Sequence, residues 1–263
     1  MTSPIVRKDF RRPQVVWTGD SKLRTIGRQL EATQFTNRTI GPIASPLKSI
    51  REILGLFGDN GGRVFLTEGE WVFNENLSTA RDSIHIVSTS PGGTVFKRPA
   101  AKASSTEVMA FTGNDVTLDG IRFVDEGNST PTYMVSVAGE RCTIKNCVFE
   151  DVYGGVKVTG DWCSIKDCTF ITVSGYAIEF SGTARNGIVT GNMIQSGGGS
   201  VYLGSNVSRT GVLHNVFDNE SGGSARISYH DGNEVATGSA LNVVHADQVE
   251  ERSTVHVSME GGG

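Results

Sequence analysis

Apolar residues return along this chain at two positions that keep a constant distance from each other. Leu118, Ile144, Ile165, Val189 and Val212 form one series, and Phe123, Phe149, Phe170, Ile194 and Phe217 the other; both advance by 26, 21, 24 and 23 residues. A third series, Phe111, Val137, Val158, Phe180, Leu203 and Ile227, advances by 26, 21, 22, 23 and 24. Around each anchor a short run alternates apolar with other residues, the period-two signature of a strand. Three strands in each repeat describe a three-sided coil. One coil cannot bury its inward side chains alone, so successive coils must stack strand on strand. The pattern predicts an all-β fold, a right-handed single-stranded parallel β-helix.

The flanks complete this solenoid. Ser45-Pro46-Leu47 predicts a helix over 46–57: Ser45 caps it, Pro46 suits the first helical position, Leu47, Ile50, Ile53, Leu54 and Phe57 make one apolar stripe, and Gly58 ends it. Lying across the open end of the first coil, the helix covers an otherwise unpaired edge. After Ile227 the register fades. Tyr229 to Gly232 reads as a turn, and 241–245 and 254–258 as strands that either cap the last coil or exchange between subunits. The chain divides into an extended N-terminal arm (1–45), the β-helix with its capping helix (46–230) and C-terminal capping or association strands (231–263).

Composition refines the picture. Gly is 33 of 263 residues, above the usual share of about 7%, and glycines such as Gly113, Gly139, Gly160 and Gly175 fall between the apolar runs, where tight corners belong. The anchors align Val116 with Cys142 and Cys163, and Ile121 with Cys147 and Cys168, so all four cysteines are expected inside as small hydrophobes, Cys142 over Cys163 and Cys147 over Cys168. A disulfide between stacked coils ~4.8 Å apart is within reach, and a metal is the other alternative; a cytoplasmic origin disfavours the disulfide. No run approaches the roughly 20 apolar residues of a membrane span, and the first residues lack the apolar core of a signal peptide. A soluble protein made in a cytoplasm, without a membrane partner, is expected.

Charge is uneven. Residues 1–45 carry eight Lys or Arg against three acids, a net +5, which leaves −9 for the rest of a chain whose total is −4. The basic residues are spread among Phe10, Val15, Val16 and Trp17, which suits docking on a protein better than binding nucleic acid. Arg7, Lys8, Arg11, Arg12 and Trp17 are the expected attachment residues, a solvated tail being the alternative.

Outward positions carry the candidate chemistry. Beside the second anchors stand Arg122, Val148, Thr169, Met193 and Val216, an apolar column that predicts a protein contact, most simply self-association as a homotrimer; a covering loop of the same chain is the alternative. The third side presents Ala110, Ser136, Lys157, Glu179, Tyr202 and Arg226, a polar column. Glycoside hydrolysis needs two carboxylates about 5–10 Å apart, and Asp125, Glu126, Glu150 and Asp151 share one corner of adjacent coils, with Asp125 over Asp151; acidic residues are also ordinary corner residues. The five histidines share no metal-ligand spacing, so neither metal nor cofactor is expected. Trp162 and Tyr202, with Tyr153 and Tyr176 behind them, are the candidates for stacking on a glycan.

The order helix, Gly-Gly-Arg-Val-Phe-Leu-Thr-Glu-Gly-Glu-Trp-Val-Phe, Ile84-His-Ile-Val87, Gly93-Thr-Val-Phe96, then repeats such as Cys142-Thr-Ile-Lys-Asn-Cys-Val-Phe149, resembles the pectate-lyase-like β-helix superfamily, most of all its bacteriophage tailspikes and virion appendages. The resemblance spans residues 45–230. It implies a homotrimer whose N-terminal segment attaches to other virion proteins. With fewer coils than the enzymes have, the expectation is a non-catalytic virion structural protein, a short spike or capsid decoration that binds host surface polysaccharide; the alternative is a tailspike-type polysaccharide depolymerase, a hydrolase or lyase.

Overall fold

A computed structural model describes residues 46–57, 61–73, 76–99, 107–126, 132–196 and 198–218, with the backbone of strands at 15–17, 36–40, 227–229, 243–244 and 257–258. The fold is an all-β parallel solenoid with three sheets of ten, seven and eight strands. Each coil gives one strand to each sheet in turn. Ile144 pairs with Leu118 and Ile165 in the first sheet, Phe149 with Phe123 and Phe170 in the second, and Val158 with Val137 and Phe180 in the third. The anchor series are therefore columns of inward side chains. In the second sheet Phe123, Phe149 and Phe170 stack face to face with centroids 4.9 Å apart; Phe96 above them meets Phe123 edge-on at 5.7 Å.

One register differs from the expectation. Ile227 pairs with Val201, not Leu203, so Ser228 rather than Arg226 stands below Tyr202. A slip of two residues keeps every side chain on the same face, so the apolar pattern alone cannot distinguish the two alignments. Arg226 lies outside the described residues.

Corners are built from left-handed residues stacked coil on coil. Ser83, Asp115, Arg141, Trp162, Asn186 and Arg209, all with φ between 52° and 60°, enter the first sheet; Gly120, Asn146, Asp167, Gly191 and His214 turn from the first sheet to the second. Inside these bends the four cysteines are buried free thiols, as the alignment requires. Burial, then the adjacent Cys147, pushes the Cys168 thiol up. In the two following coils the same corner holds Asn192 and Asn215, buried and bonded as a ladder: Nδ2 of Asn192 donates to Ile165 O at 3.0 Å and Asn215 Oδ1 at 2.9 Å, and Nδ2 of Asn215 donates to Val189 O at 3.0 Å.

The helix runs Pro46–Leu56. Ile50, Ile53, Leu54 and Phe57 are buried in the same core as Val64, Trp71 and Leu77, so its stripe closes the N-terminal end of the interior. Strands Val15–Trp17 and Thr36–Ile40 extend the first sheet beyond the coils, and two-residue strands at 243–244 and 257–258 lengthen the first and third sheets at the other end. Among the described residues no helix is long and apolar enough to cross a membrane.

Candidate functional site

The third sheet gathers tyrosines by alternating them with glycine. Tyr133 pairs with Gly154 one coil below; a Cβ on Gly154 would meet the Tyr133 ring at 2.6 Å, and one on Gly175 would meet the Tyr153 ring at 2.8 Å. Gly199 makes the same room for the ring of Tyr176. The glycines let each ring lie flat across the next coil. Tyr176 stacks on Tyr202 with centroids 4.8 Å apart, and the Lys157 ammonium sits 5.7 Å from the Tyr133 ring centre.

Glu179 joins these groups. It accepts from the Tyr133 hydroxyl and is paired with Lys157 at 3.0 Å. Burial pushes the Glu179 carboxyl up, but the hydrogen bonds from Tyr133 and Lys157, with the Lys157 charge, outweigh it and hold the group below its ordinary 4.5. Burial first, then the bond to Glu179, pushes the Tyr133 phenol well above its ordinary range, so it stays a donor. A lowered carboxyl contributes stability that is present above its ordinary value and lost as pH falls through the folded one. Melting temperature should therefore fall below pH 4.5, and fall less steeply in Glu179→Gln, as a thermal scan across that range would read.

The carboxylate candidates are arranged differently. Asp125 points inward: it is 1% exposed and takes Nε of Arg98 at 2.9 Å, with Nη2 on its other oxygen. Glu150 is paired with Arg122, and Glu126 with Lys97 at 2.8 Å. Asp151 is exposed at a left-handed position. Asp125 and Asp151 thus share a column without sharing a surface, because the strand continues to Asp125 in its own coil and ends at Glu150 in the next.

Trp162 is 60% exposed in its corner, away from the Tyr176–Tyr202 stack. The apolar column is real as a register, Arg122, Val148, Thr169, Met193 and Val216 being successive partners, with Met193 46% and Val216 37% exposed. Of the attachment residues, Trp17 lies in the strand paired with 36–40; Arg7, Lys8, Arg11 and Arg12 lie outside the described residues. Tyr133 was not among the sequence candidates, although the Tyr-over-Gly spacing marks it. His85 is half-buried beside Arg63, and burial, then Arg63 and Lys145, lowers its pKa; His214 turns a corner in the open.

No protein-family description matches the chain, and no curated protein does. Solved structures do. A proposed glycosyl hydrolase from Parabacteroides merdae is similar with a TM-score of 0.57 and 10% identity over 70% of this chain and 93% of that one. A mannuronic acid specific polysaccharide family 6 lyase from the human gut microbiota gives 0.57 and 17% over 80% of this chain and 53% of that one. The catalytic domain of a GH87 α-1,3-glucanase in complex with nigerose gives 0.52 and 13% over 72% and 38%. This chain spans about half of the lyase and less of the glucanase. At such identities the likeness is one of fold, a scaffold that hosts unrelated functions.

Proposed function

We propose that this chain is a non-catalytic polysaccharide-binding β-helix, a short spike or capsid-decoration protein of a bacteriophage that self-associates as a homotrimer and attaches through residues 1–45. The observation that carries the reading is the third-sheet face, where Tyr176 and Tyr202 stack beside Glu179, Lys157 and Tyr133. Flat aromatic surface beside a few fixed donors and acceptors is what a sugar requires, with its apolar C–H faces and hydroxyl rim. Structural rather than catalytic use of the acidic corner is supported by the cations that hold Asp125, Glu126 and Glu150. The virion setting is supported by the order of helix, glycine-rich turn and coils, and self-association by the exposed Met193 and Val216.

The test is capture of bacterial capsular polysaccharide and lipopolysaccharide by the full chain. Intact polymer should be retained without release of reducing ends or unsaturated sugars, and Tyr176→Ala or Tyr202→Ala should weaken retention about tenfold, ~1.4 kcal/mol. Light scattering of the same preparation should give the mass of a trimer. Released sugar ends would establish the depolymerase instead.

A further inference from the structure

The corner between the third and first sheets holds a tryptophan side chain that packing does not explain. Trp162 has φ of 60°, a region that a bulky side chain rarely adopts, and its indole is 60% exposed, so little burial offsets that strain. Every residue of this column from Ser83 to Arg209 is left-handed, so the bend belongs to the fold; what sets Trp162 apart is the large apolar ring it carries in the open. A large flat ring left in the open at such a bend is available to stack on a ligand.

Its surroundings define the ligand. The Trp162 amide donates to Arg185 O at 2.8 Å, which fixes the next coil directly beneath it. Arg209 lies one coil further in the column of Trp162 and Asn186, about 10 Å from Trp162 at the usual strand spacing. Arg185 and Arg209 are both exposed residues, and neither has a carboxylate partner among the described residues, whereas Arg141 above is held by Asp115 at 2.8 Å and Glu140 at 3.0 Å. Asp161, the remaining acid here, accepts from the Arg185 backbone amide at 2.8 Å. Among the described residues the corner thus offers one flat apolar ring and two forked cations without carboxylate partners, the groups needed to stack a pyranose and bond its acidic group in two-pronged fashion.

We propose that Trp162, Arg185 and Arg209 form a second binding site, for a saccharide unit that carries an anionic group, a carboxylate or a phosphate. It takes its ligand class from the polysaccharide-binding reading but stands on other residues, so the two fail separately. The full chain is titrated, by calorimetry and by acrylamide quenching of tryptophan fluorescence, with an alternating glucuronate oligosaccharide and its carboxyl-reduced form, and with a 6-phosphorylated maltooligosaccharide and its unphosphorylated parent. The quenching is read in a Trp17→Phe background, where Trp162 is the exposed reporter because Trp71 is fully buried. One or both acidic sugars should shield the indole and bind at least about tenfold more tightly than the uncharged form, with affinity falling as salt rises; which acid does so names the group. Arg185→Ala with Arg209→Ala should reduce the acidic sugar to the affinity of its uncharged form. Trp162→Asn should abolish binding of both while raising the melting temperature by roughly 2–4 °C, the shift of a relieved bend. Equal binding of charged and uncharged sugars, unchanged binding by Trp162→Asn, or a lowered melting temperature in that variant would each overturn the site.

Discussion

Asp125→Ala should cost the protein about 3–5 kcal/mol of stability, because it leaves the Arg98 guanidinium buried without its counter-charge. The two side chains are 0% and 3% exposed and meet through both oxygens of the carboxylate. Arg98→Met takes away the buried cation that the carboxylate faces and should also destabilise. The double variant Arg98→Met, Asp125→Leu should recover most of the loss, since a buried pair replaced by apolar groups of similar volume is often neutral or better. Denaturant unfolding of the two single variants and the double variant reads the cycle. The same set separates the structural role from a catalytic one: a catalytic Asp125 would lose activity with stability intact, and the apolar double variant would not restore it. A single variant as stable as the parent would remove the pair from the forces that hold the coils.

That pair shows where reading a sequence stops. Phe96 and Phe123 are anchors in successive coils, and Arg98 and Asp125 follow each by two residues, so strict alternation already turns both inward. By the pattern alone, Asp125 falls at the corner it shares with Asp151. Nothing in the spacing says where pairing stops; the left-handed backbone of Asp151 ends it one coil later. The inward columns were legible because each is repeated at least five times, and the cysteine corners because their neighbours in the adjoining coil are apolar. Tyr133 was not: it meets Glu179 two coils away, a contact no single repeat contains. The two-residue slip at Ile227 belongs to the same class, being invisible to a pattern of period two.

Gly139→Ala should be the most damaging exchange of a small residue for another, about 3 kcal/mol or more, at the upper end of overpacking costs. Its φ is not the reason, since Gly139 is absent from the left-handed positions. Gly113, Gly139 and Gly160 stack through three coils at the bend leaving the third sheet. A Cβ on Gly160 would lie 2.7 Å from the Gly139 carbonyl carbon and nearer still to its oxygen, and one on Gly139 would press on the Gly113 carbonyl in the same way. The obstacle is backbone, tied on both sides: Ala138 N donates to Phe111 O at 2.7 Å and Thr159 N to Val137 O at 2.8 Å. Relief requires the coils to part, which breaks the hydrogen bonds that define the sheet, whereas a flexible side chain would swing aside. Gly55→Ala is the opposite case. It sits in the helix with nothing within 4 Å of an added Cβ, so the methyl should stabilise by roughly 0.5–1 kcal/mol through helix propensity alone. Thermal melts of the two variants should move in opposite directions; a Gly139→Ala protein melting with the parent would mean that the coils are not held at the spacing this stack requires.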